Sequence, residues 1–275
     1  MKKILFRTIA FMIFLFPFTL LHADAVSDGL NHYKSGDYEK AFVYFNKPIT
    51  QKNRKVQRNL GYMYLTGSGV KKDYSKAMEW FRKSAAQGYA QAEYDIGLMY
   101  DDGIGIKQDY HAALLWYLKA AKQNYAPAET NIGYLYQEGH GVKQNYYKAR
   151  DWYEKAAIQN DERALTNLGA LYGQGLGGEK NEGKAFELYK KAAEKGDSAA
   201  QYNLAEYYRA GLATPRDLDK AIYWYEKSAS QGTVGAMEKL SKIYRYGYKH
   251  IPANPALSDE WADKAVKARA REAVK

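Results

Sequence analysis

The sequence contains no cysteine among its 275 residues. This excludes a disulfide framework and a lipid-modified N-terminal cysteine, so an exported chain of this sequence is held together by packing alone. Histidine is scarce as well. His32, His111, His140 and His250 fall far apart, and none has a histidine or acidic neighbour at metal-ligand spacing, so neither a metal nor another cofactor is expected. The glycine cluster of residues 173–178 follows a helical pattern rather than a strand, which argues against a nucleotide loop. No nucleic-acid partner is indicated. After Leu21 no apolar run reaches the length that spans a bilayer.

What is present is aromatic and periodic. The hydrophobic content is 46% and the aromatic content 15%, with 27 tyrosines, as expected of a folded soluble protein. Lys2, Lys3 and Arg7 precede an apolar run over residues 9–21 and the small-residue site Ala23-Asp24-Ala25. This pattern predicts a bacterial secretory signal peptide over 1–23, cleaved after Ala23 or Ala25, and hence a periplasmic or secreted mature protein with no transmembrane segment. An uncleaved anchor is the competing reading, but the apolar run is short for it. Cleavage after Ala23 removes three bases and lowers the formal charge from +10 to +7.

The sequence repeats itself every 36 residues. Gly61, Gly97, Gly133 and Gly169 form one column, continued by Ala205 and Ser241, while Tyr64, Tyr100, Tyr136, Tyr172, Tyr208 and Tyr244 form another. A third runs from Gly67 through Gly103, Gly139, Gly175 and Gly211 to Gly247. In each unit, apolar and small residues three and four apart predict a first helix, stopped by the third column's glycine in a left-handed cap. Asp73, Asp109, Asn145, Asn181 and Asp217 are spaced to cap a second helix. That helix ends at Gly88, Asn124, Asn160, Gly196 or Gly232, the two residue types that best tolerate a left-handed conformation. Helix pairs with one apolar side must stack on their neighbours, the small column admitting close approach and the Trp152-type rings filling between units.

The pattern L/I-G-x-x-Y-x-x-G-x-G-V-x-x-D/N-Y-x-K-A-x-x-W-Y-x-K-A-A resembles the SLR family, the Sel-one-like repeats related to tetratricopeptide repeats. The resemblance implies an all-α fold, a right-handed α-solenoid of stacked antiparallel helix pairs, with repeats over 56–247. Later units depart from the pattern at Leu188, Gly178, Ala213 and Ser241. Residues 24–55 read as a tetratricopeptide-like cap and linker. Residues 248–275 read as a C-terminal capping segment, with a helix expected over 258–274 from Ser258-Asp259-Glu260.

Two local features invite other functions. Ser68-Gly-Val-Lys71 has the Ser-x-x-Lys spacing of penicillin-recognising serine enzymes, but it lies in the repeated loop and the partner motifs Ser-Asp-Asn and Lys-Thr-Gly are absent. Residues 40–72 carry eight bases and no acid, which would suit a polyanionic glycan or peptidoglycan. The reading favoured over both is a non-enzymatic scaffold that binds a protein or peptide in its groove. Alignment of Gly61 with the tetratricopeptide glycine places three columns in that groove. From these columns Arg58, Tyr62, Tyr94, Asp101, Tyr134, Tyr202, Arg209 and Arg245 are the candidate contacts, with Tyr94 and Tyr134 as anchors whose loss should spare the fold. Asn59, Asn131, Asn167 and Asn203, with Asp95 in register, are read as structural.

Overall fold

The computed structural model describes residues 25–273 except Lys249; the expected signal segment lies outside them. The described residues are helical and contain no strand beyond an isolated Tyr248–Ile251 bridge. The helices are α1 (25–34), α2 (Tyr38–Phe45), α3 (Arg54–Thr66), α4 (Tyr74–Ala85), α5 (Ala90–Asp102), α6 (Tyr110–Ala121) and α7 (Ala126–Glu138). Then come α8 (Tyr146–Ile158), α9 (Glu162–Gln174), α10 (Glu182–Lys195), α11 (Ser198–Ala210), α12 (Leu218–Ser230), α13 (Val234–Tyr246) and α14 (Pro255–Glu272). The chain divides into two compact units after Ala128. Within the first, α3 packs on α4, α4 on α5 and α5 on α6; within the second, each helix from α8 to α14 packs on the next. This is the all-α stacking of a repeat solenoid.

The repeated columns supply the reasons. Asp73, Asp109, Asn145, Asn181 and Asp217 each accept a hydrogen bond from the backbone N–H three residues on, at 2.9–3.0 Å. The backbone N–H of each cap residue donates in turn to the carbonyl of the tyrosine column, from Asp73 to Tyr64 at 2.8 Å through to Asp217 to Tyr208 at 2.9 Å. The tyrosine column therefore fixes where the second helix starts. Gly67, Gly103, Gly139, Gly175 and Gly211 are left-handed with φ of 69–80°. Gly247 departs from them, with φ 65° and ψ 170°. Asn124 and Asn160 take φ of 57° and 64° at the ends of α6 and α8, as their column requires.

Small side chains recur at fully buried positions. Ala92, Ala128, Ala164, Ala200 and Ala236 on the first helices are fully buried, as are Ala41, Ala77, Ala113, Ala149, Ala185 and Ala221 on the second. Where serine enters such a position its hydroxyl stays bonded: Ser84 donates to the Arg54 carbonyl at 2.7 Å and Ser228 to that of Ser198 at 2.8 Å. Trp80 and Trp116 pack against clusters built from a preceding second helix and their own first helix, the inter-unit role expected of them.

The glycine column has a partner that the sequence reading missed. A Cβ on Gly61, Gly97, Gly133 or Gly169 would stand 2.4–2.9 Å from the ring of Phe81, Tyr117, Tyr153 or Tyr189. These rings belong to the second helix of the same unit. The residue after the tryptophan, not the tryptophan, fills the space that glycine leaves.

The C-terminal helix also begins earlier than expected. Asn254, not Ser258, is its N-cap, accepting from the Leu257 N–H at 3.1 Å, with Pro255 in the first turn where no N–H is needed. The Asn254 N–H donates to the Tyr244 carbonyl at 2.7 Å, so the cap-to-tyrosine link persists despite the altered loop. Ser258 is buried instead, 3.3 Å from the Ser241 hydroxyl.

Candidate partner-binding surface

In the first unit the expected groove residues on α3 and α5 are tied to the chain itself. The Arg58 guanidinium donates to Asp95 at 2.6 Å and 3.2 Å, and the Tyr62 hydroxyl donates to the same carboxylate at 2.8 Å. Asp95 is nearly fully buried, its side chain 2% exposed. Burial pushes its carboxyl above the ordinary value despite these donors. Burial also opposes the charge on Arg58, but the hydrogen bond and charge of Asp95 prevail and hold the guanidinium above its usual value. The two residues lie in successive units and deviate together: Arg58 is the sole base in its column and Asp95 the sole acid among asparagines. That coincidence was the available signal, and it supports the structural role assigned to Asp95.

Tyr94 packs on the rings of Tyr117 and Tyr125 with centroids 5.5 Å and 5.4 Å away. It is half-buried, so its removal is expected to cost stability rather than to spare the fold. Asp101 accepts a hydrogen bond from the Tyr117 hydroxyl at 2.7 Å. Tyr62 sits edge-on to Phe81 at 5.4 Å.

In the second unit Tyr134 on α7 keeps 40% of its surface exposed, with His140 edge-on at 5.8 Å. The next position of the same face, Gln137, accepts from the Tyr153 hydroxyl at 3.1 Å; burial raises the pKa of that hydroxyl. Tyr202 on α11 leans on Tyr225 at 5.8 Å. Arg209 is paired with Glu206 at 2.6 Å, and Glu206 also takes Lys239 at 2.9 Å and the hydroxyl of Tyr225. Burial alone would raise the Glu206 pKa, but hydrogen bonds from Arg209, Tyr225 and Lys239 pull it down to about 2. Arg245 is 55% exposed and 3.9 Å from Asp259. Of the eight candidates, Tyr134 and Arg245 are the ones that remain substantially open.

A second polar set escaped the sequence reading. Gln87, Gln123, Gln159 and Gln231 at the ends of second helices donate to Gln57, Glu93, Glu129 and Gln201 on the first helices of the same units, at 2.7–2.9 Å. Burial raises the carboxyl pKa of Glu93 and Glu129. In the unit where Leu165 replaces the acceptor, Lys195 replaces the glutamine. Such paired deviation was legible, but only to a reader who already knew the two positions touch.

The alternative sites are less coherent. The Ser68 hydroxyl is 2.9 Å from that of Thr66, and no hydrogen bond joins it to Lys71, so no nucleophile–base pair is formed there. Within the basic stretch Lys40 pairs with Asp37 at 2.8 Å and Arg58 with Asp95, while Lys47 and Arg54 lie over the rings of Tyr44 and Tyr89. Among the described residues no cluster of acidic or histidine side chains could hold a metal ion, and no helix is long and apolar enough to cross a membrane.

The Sel1 repeat model matches seven segments, residues 23–47, 55–89, 90–125, 126–161, 162–197, 198–233 and 234–268. It therefore extends over the two terminal pairs as well as the five central ones. A Sel1 repeat protein from Oxalobacter formigenes is similar in structure, with 42% identity and a TM-score of 0.81 over 88% of this chain and 96% of that one. The protective antigen c5321 of uropathogenic Escherichia coli, which displays an SLR fold, is 32% identical with a TM-score of 0.75. The match covers 90% of this chain but only 54% of that antigen. The immunity protein PA5088 of Pseudomonas aeruginosa, at 21% identity and a TM-score of 0.55, shares the fold. No curated protein matches the chain.

Proposed function

Because the chain belongs to the Sel1 repeat family, a repeat scaffold typical of protein–protein interaction, we propose that it is an exported, non-enzymatic protein that binds a protein or peptide partner through its first-helix surface. The observation that carries this reading is Tyr134. Its ring stays 40% exposed, and Gln137 on the same face is already engaged by the Tyr153 hydroxyl. A large, stiff, amphipathic ring on a rigid helix is the type of residue that anchors partners at little entropic cost. Export to the periplasm or beyond rests on the charged start, apolar run and small-residue site of the first 25 residues.

The test is site-specific photo-crosslinking in the source cells. A photoreactive phenylalanine at Tyr134 should give one discrete adduct, whereas the same residue at Tyr147, 69% exposed on the second helix α8, should not. Equal labelling at both positions, or none at Tyr134, would contradict the assignment.

A further inference from the structure

Four second helices carry an indole at one position: Trp80, Trp116, Trp152 and Trp224. Three residues further on stands a lysine, and Lys83, Lys119, Lys155 and Lys227 place Nζ 4.2, 3.7, 3.9 and 5.9 Å from those rings. Trp116 covers a cluster that includes Ala85 and Ile96. In α10 the tryptophan is replaced by Leu188, yet the lysine is kept as Lys191. The counterparts of Ala85 and Ile96 are then Ala157 and Leu168, and they line an open cavity of about 840 Å³ together with Ile158, Leu165 and Leu188.

Three further observations belong to the same place. Ile158 is 81% exposed, in a column that otherwise holds Ala86, Lys122, Glu194 and Ser230. Gly183 forms part of the wall where other units have Ser75, His111, Tyr147 or Asp219, so the side is cut away. Lys191 lines the cavity and, among the described residues, has no ion pair, hydrogen bond or ring contact, unlike the lysines equivalent to it.

We propose that this groove receives a tryptophan presented on an amphipathic helix of a partner protein, seated where the chain's own indole sits in other repeats, with Lys191 over its ring. The inference deepens the protein-binding reading above and rests on it, but it places a contact on the second helices. The cavity volume is that of sites enclosing a whole ligand, roughly 300–1,000 Å³, so neighbouring residues of the helix enter with the indole. Exposed Ile158 offers them an apolar shelf, and the lysines Lys184, Lys190 and Lys191 with the acids Glu187 and Glu194 form a charged rim. An apolar floor and polar rim fit an amphipathic helix laid in a groove.

Methyl-labelled protein can be titrated with N-acetyl-tryptophanamide and with an alanine-based helical peptide carrying one tryptophan, following the methyls of Ile158, Leu165 and Leu168. The expected result is saturable shifts confined to these methyls, with the peptide on the order of tenfold tighter than the amide. Leu188→Trp supplies the missing indole, so it should raise Tm and abolish both titrations. Lys191→Ala should weaken the peptide several-fold at unchanged Tm. Binding that ignores both substitutions overturns the groove assignment. An amide that binds as tightly as the peptide makes the occupant a small aromatic molecule and overturns the partner helix. Crosslinking at Tyr134 is unaffected by either result, so failure of the groove is distinguishable from failure of the protein-binding reading.

Discussion

The ring of Tyr153 lies where the side chain of residue 133 would be: a Cβ on Gly133 would stand 2.6 Å from Cδ1 and Cε1. Tyr153 is fully buried and cannot retreat. Gly133→Ala should therefore destabilise by about 1–3 kcal/mol, and Gly133→Val by more. Gly183→Ala is the control, because its added Cβ meets nothing nearer than 3.5 Å; it should be neutral or stabilising by up to about 1 kcal/mol. Denaturant melts of the three variants check both. Equal effects at 133 and 183 would show that the ring contact is not the cause.

Ala213 takes φ 55° where other loops have left-handed glycine at Gly69, Gly105, Gly141 and Gly177. A residue with a Cβ pays roughly 1–2 kcal/mol in this region. Ala213→Gly should stabilise by about 1 kcal/mol, seen as a higher denaturation midpoint at unchanged slope. A lower midpoint would mean that the methyl group makes a contact worth more than the strain.

The Arg58–Asp95 pair couples successive first helices through a carboxylate that is 2% exposed. Asp95→Ala leaves a half-buried guanidinium without its counter-ion, so it should cost about 2–4 kcal/mol, below the upper end for fully buried pairs because Arg58 is 24% exposed. The double variant Arg58→Met with Asp95→Leu should recover most of that loss. A double variant as unstable as the single one would assign the cost to packing.

Glu206 contributes to the acid response of the second unit. Its carboxyl falls from the usual 4.5 to about 2 in the folded chain, so the stability it contributes is present above about pH 4.5 and is lost as pH falls toward 2. The shift corresponds to on the order of 3 kcal/mol. Glu206→Gln should lower stability at neutral pH and flatten the profile between these limits. A variant whose acid profile parallels that of the parent would remove Glu206 from the account.

These residues divide what the sequence made legible from what it did not. Helix order, caps and stacking could be read from columns because each is a local effect repeated many times: Asp109 caps α6 for the same reason that Asn181 caps α10. The start of α14 was misread because Ser258-Asp259-Glu260 has the form of a cap, whereas Asn254 holds the tertiary link to Tyr244. The candidate surface was harder still. Variable columns were taken as free of structural duty, yet Asp101 and Gln137 accept hydrogen bonds from the hydroxyls of Tyr117 and Tyr153. Leu65 stands in the same column where the ring is Phe81, which has no hydroxyl to satisfy. Variation of that kind records a partner within the chain, and distance in sequence hides it.

Tyr94 and Tyr134 separate the two duties most clearly, one ring packed on Tyr117 and Tyr125 and the other 40% exposed. The most direct test is calorimetric titration of the partner identified by crosslinking at Tyr134 against the parent protein, Tyr134→Ala and Tyr94→Ala, with Tm measured on each. Tyr134→Ala should weaken binding by about 1–3 kcal/mol at unchanged Tm, whereas Tyr94→Ala should lower Tm. Unchanged affinity for Tyr134→Ala, or a fall in its Tm as large as that of Tyr94→Ala, would contradict the claim that Tyr134 belongs to a binding surface.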